Sequence, residues 1–448
     1  MQAVQSGVAM LRRTKFRWVV AGLIFTIYSL AAADRANIGF ALPFIRKEFA
    51  MTNTEAGAFI SMFLYAYALA QIPSGFAAAR FGVRKMFAGA MLLTSVFTGL
   101  MGTGTSAFML KFYRFALGLA EGPLPIGITT TINNWFPPHE KGTASGIFLS
   151  AVKFGPVLVP PLCAVIVATW GWREIFYIFA APGIFLAIVW YLLVPDQPTQ
   201  SRFVSEEEAK YIATRNDSTT PAAAATAAPI RSFKLLDWVI RARTVTLIPT
   251  PSAVFKSWNI YGCALGYSFQ LGISNVLLAW IPTYLLTVKK FSIMGSGMVA
   301  AAPWVGAVVG NILGGWISDR LLGGRRKPGM IFSALATAVM MWLLIESPAD
   351  PTLFALLLFA TGVMLSIGYS AYMCYPMSIT EKKSFPVASA VVNMGGQLGG
   401  ATAPLIVGML LDSVGWSSVF AFMAIGSLCS CLAVLTIVEP MSKRTAKA

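Results

Sequence analysis

The run FMLKFYRFALGLAEGPLPIGITTTI (108–132) decides how the chain is read. It is apolar for long enough to cross a bilayer as a helix, for which about 20 residues are needed, yet it carries Arg114 and Glu121. Seven residues is close to two helical turns, so the two charges share a face, about 10 Å apart along the axis. Charges inside a membrane segment are expensive. They face a bundle interior or a water-filled cavity, and they mark a functional site. Two readings of Arg114 stand: it holds an anionic substrate, or it only neutralises Glu121 and stiffens the bundle.

Similar apolar runs recur along all 448 residues. Hydrophobic residues make up 56% and charged residues 12%, with mean hydropathy +0.69, whereas soluble proteins carry about 25% charged residues. The chain therefore reads as an all-α membrane protein. Twelve spans are predicted, at 17–42, 55–78, 86–105, 107–132, 143–168 and 172–194, then at 257–286, 294–318, 329–346, 352–378, 386–411 and 416–438. They group as an N-terminal six-helix bundle (1–194), a polar linker (195–256) and a C-terminal six-helix bundle (257–448).

The net charge of +16 does not signify nucleic-acid binding. Its basic residues sit in short loops between spans, as positive-inside topology requires. One set of loops holds Arg80, Arg84 and Lys85; His139 and Lys141; Arg320, Arg325, Arg326 and Lys327; Lys382 and Lys383. The alternate loops are mixed or acidic, or hold only Lys289 and Lys290. The first set is expected in the cytoplasm, with both termini. The basic N-terminus (Arg12, Arg13, Lys15, Arg17) runs straight into the first span with no small-residue cleavage site, so no cleaved signal peptide is expected. The five cysteines all fall in apolar segments without metal spacing, and the single histidine is His139. With no nucleophile–base pair visible either, neither an enzyme, a metal nor any other cofactor is expected.

Within the linker, SEEEAKYIATRND (205–217) has helix-forming composition with Ser205 as N-cap. PAAAATAAP (221–229) is low-complexity tether. KLLDWVIRAR (234–243) places Leu235, Leu236, Val239 and Ile240 on one face; it reads either as a short helix on the cytoplasmic leaflet or as an ordinary linker helix.

An internal repeat supports the six-plus-six division. GFAAARFGVRK (75–85) follows span 2 and GWISDRLLGGRR (315–326) follows span 8. Each begins with glycine (Gly75, Gly315), places arginine five residues on (Arg80, Arg320) and finishes with glycine and basic residues, Arg84 among them. These loops resemble the signature of the major facilitator superfamily of secondary transporters. Asp319-Arg320 fits it, while the first copy has Ala79 where an acid is usual. ADRANIGFALP (33–43), RFALGLAEGP (114–123), AWIPTYL (279–285) and NMGGQLGGATAPLIVG (393–408) are similar to the anion:cation symporter branch, which moves sugar acids and other organic anions. The resemblance implies the major facilitator fold, twelve transmembrane helices in two bundles, and proton-coupled uptake by alternating access. It matches Arg35 and Arg114 to substrate-carboxylate arginines, Asp34 and Glu121 to protonatable acids, Tyr67 to a cavity tyrosine and Asn393 to a polar substrate contact. The motif residues Gly75, Arg80, Arg84, Gly315, Asp319 and Arg320 would serve gating.

The residue chemistry stands beside that resemblance. The arginine fork gives a carboxylate two parallel hydrogen bonds and stays charged. Asp34 and Arg35 are chain neighbours, so on a helix they point about 100° apart. Asp34 is either a proton carrier or a fixed salt bridge or helix-break cap. Lys153 lies about ten residues into span 5, near mid-membrane depth. A further cation there would suit a dianion, such as a dicarboxylate or a phosphonate; the other reading is an ion pair with Glu121 or Asp34. The C-terminal half offers Tyr267, Gln270, Asn275, Tyr369, Tyr372, Tyr375, Asn393 and Gln397 for hydroxyls or ring substrates, or for helix packing. Tyr372 and Asn393 are the substrate contacts selected from that set.

The expectation is a monomeric multi-pass transporter of the bacterial inner membrane. Its partners are a small organic anion, a proton and the lipid bilayer. Alternatives are an aromatic-acid, dicarboxylate or phosphonate symporter, and a ligand sensor on the same fold that transports nothing.

Overall fold

The computed structural model describes residues 14–137, 140–213, 237–238, 240–347, 350–381 and 384–441. His139, Lys382, Lys383 and the tether at 221–229 lie outside the described residues, as does the side chain of Asp319.

The N-terminal half comprises α1 (Phe16–Glu48), α2 (Asn53–Phe81), α3 (Val83–Thr103), α4 (Ala107–Glu121), α5 (Leu124–Trp135), α6 (Lys141–Thr169) and α7 (Trp172–Leu193). Then comes α8 (Glu206–Ala213) in the linker. The C-terminal half comprises α9 (Trp258–Thr287), α10 (Ile293–Trp316), α11 (Lys327–Ile345), α12 (Pro351–Ile367), α13 (Tyr369–Ile379), α14 (Phe385–Ser413) and α15 (Trp416–Thr436). Among the described residues, ten helical segments are long and apolar enough to cross a membrane. The second and fourth expected spans are helical but fall outside those ten. The fourth is broken into α4 and α5 at Gly122-Pro123, where proline has no N–H to continue the ladder. That break makes Glu121 the last residue of α4.

The two halves touch at one end and part at the other. At the end remote from the chain termini, glycines let backbones meet across the halves. A Cβ on Gly57 of α2 would lie 2.5 Å from the Pro404 carbonyl oxygen of α14, and one on Gly297 of α10 would lie 2.7 Å from that of Pro160 of α6. Asp412 of α14 fastens this end. Its carboxylate accepts from the backbone N–H groups of Asn53 (3.0 Å) and Thr54 (2.7 Å) and from their side chains (2.7 and 2.6 Å). These donors open α2, so the acid also meets the positive end of that helix. Tyr65 and Thr402 join hydroxyls across the same seam at 2.9 Å.

At the terminal end each half holds its own piece of the linker. Ser205 caps α8 as expected, its hydroxyl accepting from Glu208 N at 3.2 Å. Glu208 then caps α1, accepting from Phe16 N (3.0 Å) and Arg17 Nη1 (2.8 Å). The helix expected over 234–243 does not run through its second part. Ala242–Thr244 is a short strand, β1, paired in parallel with β2 (Glu439–Met441), with Ala242 opposite Glu439. Arg241 breaks the helix by adopting φ +54°, Asp237 binds Arg325 at 2.6 Å and Ile240 is buried. Lys234, Leu235, Leu236 and Val239 are outside the described residues. This part of the linker is therefore stitched to the C-terminal half.

A further repeat appears in the caps. Asp196, just after α7, accepts from Arg84 N at 2.8 Å and caps α3. Glu439, just after α15, accepts from Arg326 N (3.0 Å) and Lys327 N (2.7 Å) and caps α11. In both halves an acid following the last helix closes the start of the helix after the glycine–arginine loop.

Asp412→Ala removes one charge-assisted cap worth about 1.5 kcal/mol, equivalent to roughly a tenfold shift in a local equilibrium. Amide hydrogen exchange of the first turn of α2 is expected to accelerate by about that factor. Unchanged exchange there would mean that Asp412 does not hold the seam closed.

Candidate functional site

Where the halves part, they enclose a cavity of about 1000 Å³ lined by α1, α2, α5 and α6 from one half and α9, α10, α13 and α14 from the other. Its lining runs from mid-helix positions toward the terminal face, and it includes two cations, Arg35 and Lys153, but no acid among the described residues. The wall is otherwise rich in aromatic and aliphatic groups, with Tyr267, Asn275, Asn393 and Gln397 presenting polar atoms from the C-terminal half.

Arg35 is the most heavily engaged residue of the site. Its Nε donates to Glu121 Oε1 at 2.6 Å and its Nη2 donates to the Tyr28 hydroxyl at 3.2 Å. The guanidinium also lies 4.7 Å from the Tyr67 ring centroid, within cation–π range. Tyr28 is seven residues before Arg35 on α1 and hence on the same face. That spacing was the sequence signal for a residue not singled out there. Glu121 is fully buried, and its Oε2 has no hydrogen-bond partner. Its hydrogen-bonded partner is Arg35 of α1, while Arg114 acts on it through charge alone, with no direct ion pair between the two among the described residues. Arg35 is thus the direct partner of Glu121, and Arg114 contributes to neutralising it from further away.

Arg114 is buried one layer further from the cavity mouth. It shares with Arg35, Phe63 and Asn275 a small pocket of about 30 Å³ on the far side of Arg35, room for a water or two. Its guanidinium stacks 4.4 Å from the Phe63 ring centroid, and Nη1 donates to the Asp34 carbonyl oxygen at 3.4 Å. Nε has no partner. Asp34 itself is 3% exposed and lines neither pocket. Its Oδ1 accepts from Asn37 Nδ2 at 3.2 Å, and it forms no salt bridge among the described residues.

Lys153 does line the cavity, and neither Glu121 nor Asp34 pairs with it. Its Nζ lies 4.5 Å from the ring centroid of Tyr369, so α6 of one half meets α13 of the other through a cation–π contact. Tyr67 and Asn393 also line the cavity. Tyr372 does not: its hydroxyl pairs with Ser430 at 2.9 Å inside the C-terminal bundle, and the side chain is fully buried. Tyr369, Ser370, Met373 and Cys374 form the cavity face of α13, and Tyr372 falls about 130° from the middle of that face. Gln270 and Tyr375 are likewise structural, bonded to Ser333 and to the Val438 carbonyl.

The motif residues sit on the terminal face. Arg84 donates from Nε to the Tyr191 carbonyl at 2.6 Å, while Arg80 and Arg320 are exposed. A Cβ on Gly75 or Gly315 would meet nothing within 4 Å.

A model of the Major Facilitator Superfamily matches residues 24–324 and 293–448. The chain belongs to that superfamily. It is a multi-pass membrane transporter and not an enzyme. A probable sulfoacetate transporter of Cupriavidus necator is 30% identical, with 94% of this chain and 93% of that protein covered. A probable galactarate/D-glucarate transporter of Bacillus subtilis is 26% identical over 96% of this chain and 94% of that one. Among solved structures, a bacterial homologue of the human lysosomal transporter Spinster superposes with TM-score 0.72 at 16% identity, covering 94% of this chain and 96% of that one. The fold and the organic-acid kinship read from the loops and from spans 1, 4, 7 and 11 are thus met.

Because Tyr372 points away from the cavity, Tyr372→Phe should leave binding of an organic acid within about twofold. Loss of its buried hydrogen bond should lower stability by about 1 kcal/mol. Isothermal titration and thermal unfolding of the same variant test both halves of that statement.

Proposed function

We propose that the protein takes up a small organic anion, a sugar acid or related carboxylate, together with a proton, by alternating access. The observation that carries this reading is the Arg35–Glu121 pair at the inner wall of a cationic cavity shared by both halves. A substrate carboxylate and Glu121 compete for one guanidinium. A proton on Glu121 releases Arg35 to the anion. An anion on Arg35 in turn leaves Glu121 without its counter-ion, in a state that takes up a proton. Each ligand thus favours the other, and this reciprocity is what a symporter requires. Arg114, behind Arg35, adds positive potential and a second set of donors facing the small pocket. Asp34, beside it, is the second candidate proton site. The named substrates of the relatives, sulfoacetate and galactarate/D-glucarate, are small organic acids of the kind this cavity would hold.

The basic loops and both termini are assigned to the cytoplasmic side of a bacterial inner membrane, so the cavity opens inward. The outer side is closed by the Asp412 seam and the glycine contacts. The protein works as a monomer in this reading, its site being complete within one chain.

The test uses purified protein in liposomes loaded with a pH-sensitive dye. An organic acid added outside should acidify the lumen. Glu121→Gln, which mimics the protonated acid, should keep anion exchange but lose proton-driven accumulation. Arg35→Ala should weaken anion binding by about 30-fold or more, the scale for removing one partner of a buried charge contact. Full proton-driven uptake by Glu121→Gln would overturn the coupling role. Anion-dependent thermal stabilisation with no flux of any kind would instead make the protein a sensor.

A further inference from the structure

The Arg35–Glu121 and Arg114–Asp34 neighbours bring together equal numbers of opposite charges, but among the described residues no carboxylate pairs with Lys153. Its ammonium rests on the π face of Tyr369. An ammonium at this depth is costly without a counter-charge, and an aromatic face compensates it only in part. Lys153 lines the cavity of about 1000 Å³. What would complete its charge must come from the cavity itself.

The two cavity cations are set at different depths on adjacent helices. α1 and α6 run in the same direction and are in close contact, the Gly155 backbone lying against the Ser29 carbonyl and the Ala33 amide. Lys153 precedes that contact by two residues, whereas Arg35 follows its midpoint by about four. At 1.5 Å per residue the two side chains start about 9 Å apart along the bundle axis. A substrate with an acid group at each end could therefore meet both cations at once.

We infer that Lys153 is the second anion anchor of the site, and that with Arg35 it selects substrates bearing an acid group at each end over monoanions. This rests on the organic-anion reading above and names its substrate class. With Glu121 protonated, Arg35 and Lys153 present two positive charges, which a dianion neutralises and a monoanion leaves half unmet. Tyr369 holds the ammonium in place before substrate arrives. It also ties the ammonium to the opposite half, so a dianion seated on Lys153 would displace or share that contact as the halves close around it.

The experiment measures uptake and competition in liposomes with matched probes, galactarate against galactonate and sulfoacetate against acetate. The wild type should favour each dianion. Lys153→Gln should weaken the dianions by about 30-fold or more while shifting the monoanions by no more than about threefold. Lys153→Arg, which retains the charge, should keep the dianion preference. A dianion-to-monoanion ratio that is the same in wild type and Lys153→Gln, with uptake intact, overturns this inference and leaves the organic-anion reading standing. Loss of the preference in Lys153→Arg to the same extent as in Lys153→Gln overturns it as well, since charge would not be the cause. Failure of the wild type to take up any of the four probes overturns both.

Discussion

Everything at the site turns on the ion pair between Arg35 and Glu121, 86 residues apart in the chain. Neither charge could remain at this depth alone. Burying an ion costs several kcal/mol even after relaxation, and attraction offsets this only where geometry and hydrogen bonding are good. Here the guanidinium has a carboxylate, a tyrosine hydroxyl and an aromatic face around it. The pair does not close on itself, however, because Glu121 keeps one oxygen without a donor. An incompletely satisfied buried pair is poor as a staple and good as a switch. The break after Glu121 matters for the same reason. It places the carboxylate at a helix end, next to the Gly122-Pro123 junction.

Movement is confined by what is rigid. Each half carries its own caps: Asp196 on α3 and Glu208 on α1 in one, Glu439 on α11 in the other. The linker adds α8 to the first half and β1 to the second. Lys327 strengthens the second attachment, its Nζ donating to the carbonyls of Ile240 (2.9 Å) and Ile437 (2.6 Å). The two halves therefore have the means to move as bodies. The contacts that must change lie between them: the Asp412 seam, the glycine crossings, and the Lys153–Tyr369 contact at the cavity. The first is four hydrogen bonds to one carboxylate, and around the glycine crossings buried apolar side chains of both halves, such as Phe59, Ala164, Val299 and Val407, pack in one cluster.

The sequence made the charges legible and left their pairing hidden. Arg114, Glu121, Lys153 and the Asp34-Arg35 pair stood out because apolar spans give a charge no ordinary reason to be there. The sharing of Glu121 was not readable, since spacing along α4 relates Arg114 and Glu121 but says nothing about α1. The same limit explains Tyr372. A tyrosine on a membrane helix is equally at home in a cavity or between helices, and only the packing of α13 separates it from Tyr369, three residues earlier. The two glycine–arginine loops were visible as an internal repeat. The acids that complete those loops, Asp196 and Glu439, were visible as residues but not as caps, because each acts on a helix far away in the chain. β1 was missed because KLLDWVIRAR has helical periodicity, and its final residues were claimed by the edge of β2.

The two kinds of charge in the site have different relations to the fold. Arg35 and Glu121 answer each other, so the empty protein tolerates them and a substrate or a proton only exchanges one partner for another. Lys153 is answered by a ring of the opposite half, an interaction that depends on how far apart the halves stand. In the proposed mechanism, substrate that meets Arg35 would act on the proton, whereas substrate that meets Lys153 would act on the contact between halves. A ligand long enough to reach both would couple the proton to the movement through its own length. A short monoanion could reach only one of the two at a time. On this view the reach of the substrate, more than its charge alone, decides whether binding is converted into transport.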